Sequence, residues 1–143
     1  MKSMDEQFAE SVHMLAHAWR TELDRRLRPL GFSHSRWLLL LHLSRNDGCT
    51  HQQLAQHMGI EAPTLVKLVD HLEKEDLLRR CVSETDRRVK HLYLSDTGKQ
   101  VVVDIRSNAA ELRKDILSDT SKEELQITYA VLQRIRERLA LLS

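Results

Sequence analysis

Basic and hydrogen-bonding side chains are concentrated in two stretches in the middle of the chain. The first, Thr64, Lys67, His71 and Lys74, has the spacing of three and four residues that places side chains on one face of a helix. The second, residues 79–91, carries five arginines and lysines against two acids. Lysine and arginine neutralise phosphates, while hydroxyl and imidazole groups bond to base edges. The two stretches therefore have the chemistry of a surface that binds a nucleic acid.

The composition limits how such a surface is built. The chain has 143 residues, 41% of them hydrophobic and 4% aromatic, with only four glycines and two prolines. This composition is typical of one mostly α domain. The net charge is only +1, so nucleic-acid contacts must come from local charge. No P-loop, GxGxxG segment, nucleophile elbow or paired acid–base set is present, and we expect neither an enzyme nor a cofactor.

The first 46 residues predict two helices. An apolar stripe at spacings of three and four indicates a long helix over residues 5–30, which ends near Pro29 and Gly31. Ser33 is a suitable N-cap for a second, almost entirely apolar helix that ends at the Asn46-Asp47-Gly48 cluster.

Residues 51–68 fit a helix-turn-helix. Thr50 and Gln53 have capping-box spacing, Gly59 can take the positive φ of the turn, and Pro63 suits the first turn of a helix from Ala62 to about Asp76. Seven positions match the small shared core of this motif: Leu54, Ala55, Met58, Gly59, Ile60, Leu65 and Leu68. A helical hairpin of any α protein would imitate part of this pattern.

The charge of the second helix of this motif opposes DNA binding. It carries two lysines against five acids, Glu61, Asp70, Glu73, Glu75 and Asp76. A recognition helix usually enters the major groove by its N-terminal part, and all of these acids except Glu61 lie on its back or far end.

Residues 77–94 predict a two-stranded ribbon around the turn-forming residues 83–86. A ribbon after a helix-turn-helix is a wing, and an arginine at its tip, held by Asp86, reaches an adjacent minor groove. A solvated hairpin with ordinary surface arginines is the alternative.

Two long helices complete the chain. One starts at Ser95 and the other is capped by Ser121, and both carry apolar residues in the a/d pattern of helices that pack on helices. A helical chain of this length often completes its core with a partner, so we expect a homodimer.

This order of elements resembles the MarR family of transcriptional regulators over nearly the whole chain. The stretches Arg26-Leu27-Arg28-Pro29-Leu30, residues 59–67 and Asp86-Arg87-Arg88 are most similar to its SlyA-like branch. The resemblance implies one domain over residues 1–143, with a winged helix-turn-helix at 33–94 and dimerisation helices at 1–30 and 95–143.

The resemblance also implies a function and its residues. The implied function is that of a homodimeric repressor or activator that binds pseudo-palindromic promoter sites on double-stranded DNA. Pro63, Thr64, Lys67 and His71 would face the major groove. Asp86 would orient Arg88 into the minor groove, with Arg87 and Lys90 beside it. Close SlyA-like relatives carry an arginine where this chain has Lys67, which loses bidentate reading of guanine. The alternative is a winged-helix adaptor that binds proteins and not DNA.

A small aromatic or anionic effector is a further implication of the family resemblance. His17, Trp19, Arg20 and Trp37 fall on the first two helices, where such a pocket would lie. Alternatively, both tryptophans are core residues and Arg20 pairs with a carboxylate such as Glu22 or Asp24 of a partner.

The remaining histidines and cysteines give weaker indications. His13 and His17 share a helical face, but without an HExxH or CxxC pattern we expect no metal site. We expect Cys49 and Cys81 to be reduced packing residues in a cytoplasmic protein. The longest apolar run is too short to span a bilayer, and we expect no membrane role.

Overall fold

The computed structural model describes residues 1–143 and contains six helices and one two-stranded antiparallel sheet. The helices are α1 (Met4–Leu27), α2 (His34–Arg45), α3 (His51–Met58), α4 (Ala62–Lys74), α5 (Asp96–Ile116) and α6 (Lys122–Ala140), with a 3₁₀ turn at Arg28–Leu30 after α1. The strands are β1 (Leu78–Val82) and β2 (Lys90–Leu94). The predicted mostly α fold with a small β-wing is confirmed. The chain divides into two compact units, residues 1–109 and 110–143.

The core of the first unit is built mainly from leucines. α2 lies at its centre and packs against α3, α4 and β2, which explains the run of apolar residues from Trp37 to Leu41 in this helix. Fully buried side chains come from α2, α3, α4 and both strands: Leu39, Leu40, Leu43, Leu54, Leu65, Leu72, Leu78 and Leu92. This core holds the helix-turn-helix and the wing together as one body.

The strands pair from Leu78 with Leu94 to Val82 with Lys90. A third segment, which the sequence analysis did not predict, extends this pairing. The Gly48 N–H donates to the Leu92 carbonyl at 2.8 Å, and the Leu92 N–H donates to the Cys49 carbonyl at 2.8 Å. The wing is thereby hydrogen-bonded to the residues that lead directly into α3.

α4 ends two residues before the predicted end. Asp76 adopts a left-handed conformation with φ of 60°, and the Leu77 N–H donates to the Leu72 carbonyl at 3.0 Å. The Asp76 N–H donates to the Glu73 carbonyl at 3.0 Å. These two bonds form a Schellman motif, which closes a helix and is usually built on glycine. An aspartate at this position gives no comparable signal in the sequence.

The second unit comprises the C-terminal end of α5 and α6. Ser121 caps α6 as predicted: its hydroxyl accepts from the Glu124 N–H at 3.1 Å, and the Glu124 carboxylate accepts from the Ser121 N–H at 3.0 Å. α6 has no buried residue. None of the six helices is long and apolar enough to cross a membrane.

Candidate nucleic-acid interface

The predicted helix-turn-helix is formed by α3 and α4. The Thr50 hydroxyl accepts from the Gln53 N–H at 3.2 Å, and the Gln53 side chain accepts from the Thr50 N–H at 2.9 Å, so the predicted capping box is present. Gly59 ends α3 with φ of 66°, in the left-handed region that glycine adopts without strain. The Ile60 N–H then donates back to the Ala55 carbonyl at 3.1 Å, which closes the turn before α4.

α4 presents one polar face to solvent. Leu65, Val69 and Leu72 are fully buried against the core. The four residues predicted to face a major groove are all exposed: Pro63, Thr64, Lys67 and His71. This division follows from the helical period, because the buried and exposed sets each recur every three to four residues.

Most of the acids on α4 are engaged by arginines from other elements. Arg80 of β1 binds Asp70 at 2.5 Å and Glu73 at 2.7 Å. Arg36 of α2 binds the carboxylate of Glu75. Three of the five acids that opposed a nucleic-acid interface are therefore paired with arginines, and the net charge of these three acids and two arginines together is −1 instead of −3 for the acids alone.

Arg80 also contacts the start of α3. Its Nε donates to Nε2 of His51 at 3.1 Å, so this imidazole nitrogen must be unprotonated. Burial lowers the pKa of His51, and the positive charges of Arg80 and Lys90 lower it further, while Asp70 and Glu73 act in the opposite direction. His51 is consequently a hydrogen-bond acceptor at neutral pH.

The tip of the wing is organised around Asp86. Its Oδ1 accepts from the Arg88 backbone N–H at 3.0 Å and from Arg88 Nε at 3.3 Å. The Arg88 side chain is 92% exposed, and Arg87 and Lys90 are exposed as well. The loop thus holds one arginine by its carboxylate neighbour while leaving the guanidinium open to an anionic partner.

The structure brings only one of the four predicted pocket residues to a cavity. A cavity of about 330 Å³ is bounded by Arg20 and by apolar side chains of α2, α3 and α4, among them Leu38, Met58 and Leu68. Its lining includes neither His17, Trp19 nor Trp37.

Trp37 is a core residue rather than a pocket wall. It is only 4% exposed, and its indole N–H donates to Asp24 at 2.7 Å. Asp24 also contacts the ring of His34 at 3.1 Å. This is the arrangement that the core-residue alternative describes for Trp37: a carboxylate from α1 satisfies its only polar atom and fixes the ring against the core.

Within its own chain, Arg20 is not paired with Glu22 or Asp24. Glu22 binds Arg25 at 2.6 Å and Arg26 at 3.1 Å, and these hydrogen bonds lower the pKa of Glu22 to about 2. Asp24 is occupied by Trp37 and His34. The Arg20 guanidinium is therefore available at the mouth of an otherwise largely apolar cavity.

Comparisons with known proteins agree with this architecture. A family model described as MarR family matches residues 30–89. The transcriptional regulator PA3341 is 42% identical, with 93% of this chain and 98% of that chain covered and a TM-score of 0.81. MepR of Staphylococcus aureus, solved as a DNA complex, is 25% identical, with coverage of 92% and 97% and a TM-score of 0.77. MarR of Staphylococcus aureus, solved with salicylate and kanamycin, is 22% identical, with coverage of 98% and 95% and a TM-score of 0.88. The fold, the family-model match and the 42% identity to PA3341 over nearly all of both chains show the family. This protein belongs to the MarR family of transcriptional regulators.

Proposed function

We propose that this protein is a homodimeric transcriptional regulator that binds pseudo-palindromic sites on double-stranded DNA. The observation that carries the proposal is the exposed face of α4 beside a wing whose Arg88 is held by Asp86 but remains 92% exposed. A recognition helix in a major groove and an arginine in the adjacent minor groove are a standard pairing of direct and shape readout. The similar MepR has been solved as a DNA complex, which supports DNA binding by this protein.

The local charge supports this proposal better than the total charge does. Arg80 and Arg36 bind three acids at or near the C-terminal half of α4, so Lys67 and His71 lie beside carboxylates whose negative charge is partly compensated. The exposed Arg87, Arg88 and Lys90 then supply the positive charge for phosphates. Attraction to DNA therefore comes from the wing, and base contacts come from the N-terminal part of α4.

Exposed apolar rows on two helices support dimerisation. On α1 the row consists of Met4, Phe8, Val12 and Leu15, which are 40–77% exposed. On α6 it includes Leu125, Leu132 and Leu139, spaced by seven residues and 39–59% exposed. Helices with apolar stripes of this kind need a covering surface, and a second copy of the chain supplies one.

The cavity beside Arg20 is our proposed site for a small aromatic acid. The guanidinium would pair with the carboxylate of the ligand, and the side chains of Leu38, Met58 and Leu68 would pack on its ring. The salicylate complex of Staphylococcus aureus MarR supports this ligand class. A tenfold loss of DNA affinity requires a ligand that binds the DNA-incompetent form about 1.4 kcal/mol more tightly.

DNA titrations with single alanine variants test the function. Lys67→Ala and Arg88→Ala should each weaken binding to a selected genomic site by about 1–3 kcal/mol without loss of helical content. Lys122→Ala, which removes an equally exposed lysine from α6, is the matched control and should bind as the wild type does. Unchanged binding by both test variants would contradict the proposal and favour the protein-binding adaptor.

A further inference from the structure

Arg80 connects the wing to both helices of the helix-turn-helix. Its side chain is only 16% exposed although it lies on a two-stranded ribbon. Nη2 donates to Asp70 at 2.5 Å, Nη1 donates to Glu73 at 2.7 Å and Nε donates to His51 at 3.1 Å. All three nitrogens of the guanidinium are thus occupied by acceptors on α3 and α4.

The backbone of Arg80 adds a fourth contact. Its N–H donates to the second carboxylate oxygen of Glu73 at 3.1 Å. Glu73 therefore binds the side chain and the main chain of the same residue, which fixes the start of the ribbon against α4. A lysine could not reproduce this pattern, because it lacks the planar fork of donors.

The two carboxylates lie where they would affect a bound nucleic acid. Asp70 follows Lys67 by one helical turn, and its side chain is 49% exposed, while that of Glu73 is 39% exposed. Without Arg80 both would present uncompensated negative charge on the helix that enters the groove, and like charges repel over about one Debye length, roughly 10 Å. The hydrogen bond to Arg80 lowers the pKa of Asp70.

We propose that Arg80 is a positioning residue for DNA binding, which masks the charge of Asp70 and Glu73 and holds the wing at a set orientation to α4. The inference rests on the proposed DNA-binding function. Direct phosphate binding by Arg80 is the competing interpretation. It requires a guanidinium that is open to the surface, whereas this one is only 16% exposed and three of its five N–H donors, one on each nitrogen, are bound to the protein.

A double-mutant cycle between Arg80 and its two acids tests whether the arginine masks the charge of Asp70 and Glu73. The four proteins are the wild type, Arg80→Gln, the pair Asp70→Asn with Glu73→Gln, and the triple variant. Each is titrated by fluorescence anisotropy against a 30-base-pair duplex of mixed sequence at low ionic strength, because sequence-independent binding reports charge directly. Far-UV circular dichroism of each protein checks that the helices are intact.

If Arg80 masks the charge of the two acids, the DNA affinities of the four proteins should follow a specific pattern. Arg80→Gln alone should weaken binding about 5- to 20-fold, because two carboxylates are exposed to the phosphates. The same substitution should cost clearly less once both acids are neutral, because the ion pairs that fix the wing against α4 are then already absent. The pair Asp70→Asn with Glu73→Gln should bind more tightly than the wild type, because two negative charges are removed from the helix that enters the groove. This last protein keeps Arg80 and tests the mask even if Arg80→Gln folds poorly.

Three results would overturn the inference. An equal cost of Arg80→Gln with and without the acids, together with a salt slope smaller by about one, would identify a direct phosphate contact. Binding by the acid-neutralised pair that is no tighter than that of the wild type would show that the carboxylates do not oppose DNA. A wild-type protein that fails to bind the duplex at all would refute the proposed function and this inference together, whereas the first two results leave the proposed function intact.

Discussion

Asp86→Ala should weaken binding to a specific DNA site although it removes a negative charge from a basic loop. The carboxylate accepts from the Arg88 backbone N–H at 3.0 Å and from Arg88 Nε at 3.3 Å, so it orders both the loop and the arginine side chain. Exposed ion pairs of this kind add only about 0–1 kcal/mol to folding. The substitution should therefore act on DNA binding and leave thermal stability nearly unchanged.

The expected loss can be worked out from the two bonds. The backbone hydrogen bond is worth about 1 kcal/mol. Fixing an arginine side chain that would otherwise be free saves up to about 2 kcal/mol of rotamer entropy, of which a single 3.3 Å bond recovers only part. Removing the negative charge of Asp86 also removes its repulsion of a phosphate, which is about 0.5 kcal/mol at a distance of roughly 8 Å in a water-like dielectric. The net loss should be about 0.5–1.5 kcal/mol, or roughly 2- to 13-fold in affinity.

Asp86→Asn is the matched control because it removes the same charge but keeps an acceptor oxygen. In fluorescence anisotropy titrations against a selected site, the asparagine variant should bind at least as tightly as the wild type, and the alanine variant should bind most weakly. If the alanine variant bound as tightly as the asparagine variant, charge alone would govern the loop, and the assignment of Asp86 as the residue that orients Arg88 would be refuted.

Three further predictions concern stability and assembly. Gly98→Ala should lower the free energy of unfolding by about 2–3 kcal/mol in chemical denaturation. The reason is that a Cβ at this position would lie 2.9 Å from the carbonyl carbon of Leu77 and closer still to its oxygen. An unchanged denaturation midpoint would contradict this packing. His51 has a lowered pKa from burial and from Arg80, so the protonated form is disfavoured in the folded state and stability should fall as pH drops below about 6.5. His51→Gln should weaken this dependence of stability on pH, whereas His13→Gln, on exposed α1, should not. Equal pH profiles for the two variants would count against the contact between His51 and Arg80. Leu132→Glu should convert dimers to monomers in sedimentation equilibrium, and a dimer that persists would remove α6 from the interface.

The local signals of the helix-turn-helix were sufficient to predict it from the sequence. The Thr50 capping box, the left-handed turn at Gly59 and the exposed face of α4 each depend on residues within a few positions of one another. Such short-range chemistry is encoded directly in the order of residues. Family membership is likewise confirmed, whereas the assignment to the SlyA-like branch stays a prediction.

The features that the sequence did not reveal depend on distant partners. Arg80 is one of the five basic residues of the 79–91 stretch, yet it binds His51 of α3, 29 positions earlier in the chain. The indole N–H of the buried Trp37 is satisfied by Asp24, 13 positions earlier. The end of α4 at Lys74 depends on the left-handed backbone of Asp76, a conformation that aspartate adopts far less readily than glycine. None of these pairings follows from periodicity or composition.

The central claim is that two copies of the chain present α4 to successive faces of one duplex. Recovery of bound fragments from genomic DNA by the wild-type protein, followed by sequencing, tests it most directly. The account predicts an enriched site with two inverted half-sites about 10 base pairs apart from centre to centre, one helical turn of DNA. Fragments with no common sequence, or with a single half-site that lacks a symmetry mate, would contradict it.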